Sequence, residues 1–241
     1  ATNRVGTTKL FKLQKHDYFN QNYHSAFLDQ YTYYYAGLNM RPDGIKRKEF
    51  FTDVKVRRAM AHLVPVEEII EVLMHGEGSR QVAQLSHLKK NYNDTLKLIK
   101  LDLEKAKKLL DEAGWIDTDE NNVRDKIVNG EKLQLSFELS YMSSASSKET
   151  ALMIKESMWR AGVEVKPNPM DFTLFYKNAQ EHDFDMMLGG WGGSASYSNP
   201  YQLWQLRTMC KDFKYSLLPL PKYSYIFIDN QRDLETVIES N

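Results

Sequence analysis

Nine residues able to touch a ligand crowd into the stretch 189–198, within "LGGWGGSASYSNP": Gly189, Gly190, Trp191, Gly192, Gly193, Ser194, Ser196, Tyr197 and Ser198. Glycine lets a backbone amide approach a bound molecule closely, serine hydroxyls donate and accept, and the two aromatic rings offer apolar faces with polar edges. No Asp, Glu, His or Lys stands between Gly189 and Pro200, so the stretch holds no group that exchanges protons near neutral pH. The residue types point to binding through hydrogen bonds and stacking rather than to catalysis. Each also has a plainer use. Trp191 would serve as a core plug, the glycines as a tight bend, and the serines as partners for their own loop.

Other chemistry is poorly supported. The six histidines, His16, His24, His62, His75, His87 and His182, never fall at metal-ligand spacing, and Cys210 is the only cysteine, so neither a metal site nor a cofactor is expected. His62 and His75 read as ordinary polar surface residues. The carboxylate pairs Asp183/Asp185 and Asp117/Asp119 read as solvated strand and loop residues rather than as acid–base pairs. No nucleophile elbow, phosphate loop or dinucleotide fingerprint occurs.

The elements that must position the stretch are legible around it. Residues 1–28 show no clear period and read as irregular. "YTYYYAGLN" at 31–39 reads as a strand, its aromatics packing on alternate faces. Thr52 or Asp53 caps a helix with Val56, Ala59, Met60 and Leu63 on one face, and Pro65 opens a second that Gly76 stops. "LDLEKAKKLLDEAGW" is a helix capped by Asp102 and ended by Gly114. Asn129-Gly130 turns a small hairpin. "KLQLSFELSY" alternates Leu133, Leu135, Phe137 and Leu139, one strand of period two. Then come a helix over 144–160, a short strand in "VEVKPNP" halted by its prolines, a helix capped by Asp171, and a strand in "FDMMLGG". Strand, helix, strand, helix, strand predicts an α/β fold with a largely parallel sheet. In such sheets ligands bind beyond the carboxyl ends of the strands, which is where the glycine–serine stretch leaves "FDMMLGG".

Bulk properties narrow the partners. Lys plus Arg and Asp plus Glu number 32 each, for no net charge, so a nucleic-acid partner is not expected. "KRK" at 46–48 and "VRR" at 56–58 read as solvated faces. No apolar run reaches the roughly 18 residues of a membrane span. The 241 residues suit one large domain.

Several segments in order, "FFTDVKVRRAMAHLVPVEEIIEVLMHGEG", "DLEKAKKLLDEAGW", "NGEKLQLSFEL", "MIKESMWRAGVEV", "DFTLFYKNAQEHDFDMMLGGW" and "NPYQLW", resemble the family 5 extracellular solute-binding proteins. These are the dipeptide, oligopeptide and nickel-type receptors of ABC importers. The resemblance covers about residues 30–206 and fades beyond 207. It implies a periplasmic-binding-protein-like type II lobe with a mixed, largely parallel sheet flanked by helices, residues 1–241 forming the later of two lobes. It further implies a first lobe and an export or lipoprotein signal upstream, a periplasmic or extracellular location, a membrane ABC permease as partner and a monomeric receptor. The ligand would be a small solute, a peptide or another polar molecule, held by Gly190, Trp191, Gly192, Gly193, Ser194, Ser196 and Tyr197. In peptide-binding relatives an aspartate of this loop pairs with the ligand's ammonium, and by spacing Ser194 stands in its place. Serine cannot neutralise a buried ammonium, which favours a neutral, hydroxyl-rich solute. Two rival readings differ in class: a hydrolase or other enzyme on an α/β scaffold, and a stand-alone interaction domain.

Overall fold

A computed structural model describes residues 6–27, 29–40, 50–82, 86–89, 92 and 95–192, together with the backbone of 223–225. Its centre is a five-stranded mixed sheet in the order β5-β4-β6-β1-β7, with β1 at Tyr33–Asn39, β4 at Ser136–Met142, β5 at Glu164–Met170, β6 at Met186–Trp191 and β7 at Tyr223–Tyr225. β4 pairs parallel with both β5 and β6, while β1 runs antiparallel to β6 and β7. Of the strands expected at 133–139, 163–166 and 184–188 to share a sheet, the parts that fall in β4, β5 and β6 do so. Crossover helices α6 (Ala145–Trp159) and α7 (Phe172–Glu181) link them.

Side-chain alternation divides the sheet into two faces. Ala36, Leu38, Phe137, Leu139, Tyr141, Val165 and Met186 point into the main core. There they meet α3 (Val54–Leu63), α5 (Leu103–Glu112) and α6, through Val56, Ala59, Met60, Leu63, Ala106, Leu110, Ile154 and Met158. Phe137 lies at its centre, its ring centroid 5.0 Å from Phe51 and 5.9 Å from Phe50. Met187 and Met170 occupy the opposite face with Phe175 of α7 and Phe184.

The caps follow the sequence. Asp53, Asp102, Ser144 and Asp171 each accept a backbone N–H in the first turn of α3, α5, α6 and α7. Gly114 sits at φ 81° beyond α5, and Asn129 and Gly130, at φ 53° and 85°, turn the hairpin of β2 (Asp125–Val128) and β3 (Glu131–Gln134). After α4 (Val66–Met74), His75 takes the left-handed C-terminal position at φ 54°, ahead of Gly76 at 77°.

Several expectations need correction. The segment read as irregular contains α1 (Thr7–Leu13) and α2 (Asp17–Asn22). Both are short and lack a side-chain cap, so little local signal marks them. The single strand expected from Leu133 divides at Leu135: β3 belongs to the hairpin, and only β4 enters the main sheet. The buried alternation continues through the break, because Leu135 and Phe137 enter the same core. Prolines do not halt β5, which runs through Pro167 and Pro169. β5 is an edge strand, and residues two apart present their missing N–H groups to the same open side. His62 is buried, its Nδ1 2.8 Å from the Lys100 carbonyl. Asp185 is buried too and accepts the Glu138 N–H at 3.0 Å, tying β6 to β4 just before their ladder begins. Within "VRR", Arg57 donates to the Phe51 and Thr52 carbonyls. The "KRK" at 46–48 lies outside the described residues.

The hairpin is held by a buried carboxylate. Asp125 accepts from the Thr118 hydroxyl at 2.7 Å and from its backbone N–H at 3.0 Å, and Lys132 lies 3.1 Å away. Burial alone would raise the Asp125 carboxyl, but the Thr118 bonds and Lys132 outweigh it and hold it below the ordinary carboxylate value. A depressed carboxyl contributes stability above its unfolded value and loses it as pH falls through the folded one. Asp125→Asn should therefore melt below wild type at neutral pH, with the gap narrowing as pH drops below about 4. Melting temperatures across a pH series check this; a gap constant into acid would contradict it.

Candidate functional site

The parallel strands end together. β4, β5 and β6 finish at Met142, Met170 and Trp191, and antiparallel β1 begins at the same end, where Tyr33 faces Trp191 across the ladder. Asp171, the cap of α7, follows the end of β5 directly, and Ser144, the cap of α6, stands two residues beyond the end of β4. The carboxyl edge thus gathers two helix N-termini and the exit of β6, the place where open α/β sheets receive ligands.

Aromatic side chains dominate this edge on the α7 side. Trp191 is 46% exposed, Phe172 65% and Tyr176 51%. Phe172 and Tyr176 lie one turn apart on α7 with ring centroids 4.5 Å apart. Tyr33 and Tyr35 line the same face of β1, their centroids separated by 6.2 Å. Burial and then neighbouring Tyr35 push the Tyr33 hydroxyl up to about 12. Burial also raises Tyr35, and the Tyr176 hydroxyl is close enough to add to the effect. These phenols therefore remain neutral hydrogen-bonding groups at physiological pH. The adjacent Asp171 carboxylate is engaged in capping, accepting the Leu174 N–H at 2.9 Å.

Gly189 and Gly190 have an internal role. A Cβ built on Gly189 would lie 2.5 Å from Cζ of Tyr35, and one on Gly190 would lie 3.0 Å from Cδ1 of Tyr34. Tyr34 and Tyr35 are their cross-strand partners. Neither glycine occupies the left-handed region, so space for the rings, not backbone freedom, calls for glycine. Gly190, Trp191 and Gly192 are exposed at the end of β6 and just beyond it. Gly193, Ser194, Ser196 and Tyr197 lie outside the described residues, as do Tyr201 and Trp204.

Sequence reasoning assigned no site role to Phe172 and Tyr176. Their signal was present: two aromatics four residues apart at the start of a helix that follows a strand end. It also favoured alternate packing for Tyr31 to Tyr35. That alternation holds at the point where Tyr33 is buried and Tyr34 is 68% exposed.

The amino end of the sheet differs. An open polar depression of about 390 Å³ is lined there by Asp119, Lys132, Leu133, Gln134, Ser136 and Lys166. Asp117, Asp119 and Asp125 gather beside it. The Lys132 ammonium reaches Asp119 at 2.7 Å and Asp125 at 3.1 Å, supplying the cluster's positive charge from within the chain.

A mixed sheet with helices on both faces, one strand reversed, and an exposed aromatic edge at its carboxyl end define the α/β class of this fold. Residues 2–213 match the bacterial extracellular solute-binding proteins, family 5 Middle, and the chain belongs to that family. It is 27% identical over 188 residues to the oligopeptide-binding protein AppA of Bacillus subtilis, covering 76% of this chain and 33% of AppA. A 30% identical match over 146 residues to heme-binding protein A of Haemophilus influenzae covers 59% of this chain and 24% of that protein. Among solved structures, AppA in complex with a nonapeptide superposes at a TM-score of 0.64 with 26% identity, over 73% of this chain and 34% of that one. The ABC transporter-associated periplasmic binding protein DppA of Helicobacter pylori, solved with the peptide STSA, gives 0.62 at 22% identity over 83% of this chain and 34% of that one, and shares the fold. The chain spans about a third of the length of AppA. The family and these matches are binding proteins.

Proposed function

We propose that this chain is one non-catalytic lobe of an ABC-importer receptor, closing on a small solute against a second lobe. The observation that carries the reading is Trp191: a tryptophan 46% exposed at the carboxyl end of β6, at the sheet edge where α7 with its exposed Phe172 and Tyr176 also begins. A core plug would be covered, whereas a residue awaiting a ligand and a facing lobe is left open. In the proposal Gly190, Trp191, Gly192, Gly193, Ser194, Ser196 and Tyr197 form the loop's solute contacts, and Phe172 and Tyr176 flank them.

Neutral phenols, an indole and a serine-bearing loop suit a solute with flat apolar faces and hydroxyl or amide groups. Relatives named for peptides make a peptide one such solute, with any ammonium neutralised by the second lobe. Solute contacts to both lobes stabilise the closed state over the open one, and the closed form is what a membrane permease recognises. Work of this kind belongs in the periplasm or outside the cell, on a monomer tethered as a lipoprotein.

Trp191→Ala in the two-lobed receptor tests the site. An aromatic anchor at a solute contact contributes about 2 kcal/mol or more, so affinity should fall roughly thirtyfold or further while the melting temperature moves little. Calorimetric titration and thermal melts on the same variant give both quantities. A collapsed melting temperature with normal binding by the remaining folded protein would make Trp191 scaffolding.

A further inference from the structure

The family assignment does not explain why a glycine stands at 189, two residues before the exposed tryptophan and on the same face of β6. Gly189 is paired with Tyr35 across the β1–β6 ladder, and Trp191 with Tyr33. The Tyr35 ring lies where a side chain at 189 would stand: Cζ, Oη and Cε2 come within 2.5, 2.6 and 2.8 Å of the Cβ position. Real Cβ contacts are never that short, so any larger residue must move the ring. The atoms met belong to the far end of a side chain, so the displacement falls on the phenol and spares the backbone.

Little room remains around that phenol. Tyr33 stands 6.2 Å away on the Trp191 side. On the other face-mate strand Met187 lies against β1, its Cγ 3.4 Å from the Cβ position of Gly37. The Tyr176 hydroxyl of α7 is near enough to act electrostatically on that of Tyr35. A ring pushed off Gly189 is displaced on the sheet face that Tyr33 and Trp191 share with it.

We infer that Gly189 and Tyr35 act as one positioning pair: the ring seated on the glycine fixes the floor against which Trp191 is held ready for solute. Through this seat the pair acts on the solute by way of Trp191, whatever the Tyr35 hydroxyl itself meets. The inference rests on Trp191 being a solute contact, but the geometry it asserts can be tested without any solute.

The 241-residue chain labelled with 5-fluorotryptophan gives one ¹⁹F resonance for each of Trp115, Trp159, Trp191 and Trp204, and Trp191→Phe assigns the one that matters. Gly189→Ala should move the Trp191 resonance and leave that of core residue Trp115 in place, which also reports that the variant folds. Tyr35→Ala should move the Trp191 resonance too. In the Tyr35→Ala background, Gly189→Ala should add no further movement, because the atom it would strike is gone. Equal movement in both backgrounds would overturn the pairing, as would a Trp191 resonance indifferent to Gly189→Ala in a folded chain. Should Gly189→Ala fail to fold, Tyr35→Leu decides: movement of Trp191 with Trp115 unchanged supports the pair, and no movement overturns it. A two-lobed receptor in which Trp191→Ala leaves solute affinity intact would refute the site reading while leaving these resonances as they are, so the two failures are separable.

Discussion

Phe137→Ala is expected to destabilise the lobe by about 3–5 kcal/mol, the range for emptying a large aromatic site in a packed core. Phe137 is 1% exposed, packs against both Phe50 and Phe51, and sits on the interior strand β4 that both β5 and β6 pair with. Loss of the ring leaves a cavity under α3 and α5 that two phenylalanines cannot refill without leaving their own contacts. Domains are stable by only about 5–15 kcal/mol, so the variant should lose a large share of its stability. A chain of this size shifts roughly 2–4 °C per kcal/mol, which places the expected fall near 6–20 °C in a thermal melt. Phe137→Leu, keeping most of the apolar volume, should fall less. A Phe137→Ala chain melting within about 2 °C of wild type would mean that the core is not centred where β4 crosses it.

The second large effect concerns affinity. In the proposed receptor, solute is enclosed between two lobes, and this chain supplies one wall. Each factor of ten in affinity is about 1.4 kcal/mol, and a micromolar complex corresponds to about −8.2 kcal/mol. Removing half of those contacts leaves about −4, a millimolar complex, before counting the water readmitted to the open face. Calorimetry should therefore find at least a thousandfold weaker binding by the 241-residue chain than by the two-lobed receptor for the same solute. Micromolar or tighter binding by the chain alone would show that the site is complete without a second lobe.

The parts of this fold that the sequence declared are those with strong local signals. Asp102 and Asp171 cap the helices they were expected to cap, because an acceptor before an apolar-periodic run has few other uses. Leu135, Phe137 and Leu139 are buried as their alternation requires. What stayed hidden depends on distant partners. Nothing beside Asp185 announces that its carboxylate will bond the Glu138 N–H, 47 residues away in sequence, nor that His62 will reach the Lys100 carbonyl. Pro167 and Pro169 looked like a stop because edge position is a property of the sheet, not of the strand. The division at Leu135 was concealed by an apolar period that runs through it.

The site was legible in the same uneven way. That the glycine–serine stretch leaves a strand at its carboxyl end followed from strand order, and Trp191 is exposed there. Gly189 and Gly190 were read as open to a bend or to a ligand's approach, and the cross-strand register gives their space to Tyr35 and Tyr34 instead. Register is set by long-range pairing, so no inspection of "LGGWGG" alone would have found those rings.

Native mass spectrometry of the proposed two-lobed receptor, purified without denaturant, tests the central claim most directly. The account predicts a population heavier than the polypeptide by one small molecule, which collisional activation releases intact and which the 241-residue chain prepared in parallel does not retain. A receptor that flies only at its bare mass, and gains no adduct when incubated with small peptides or neutral oligosaccharides, would contradict the assignment of this lobe to solute capture.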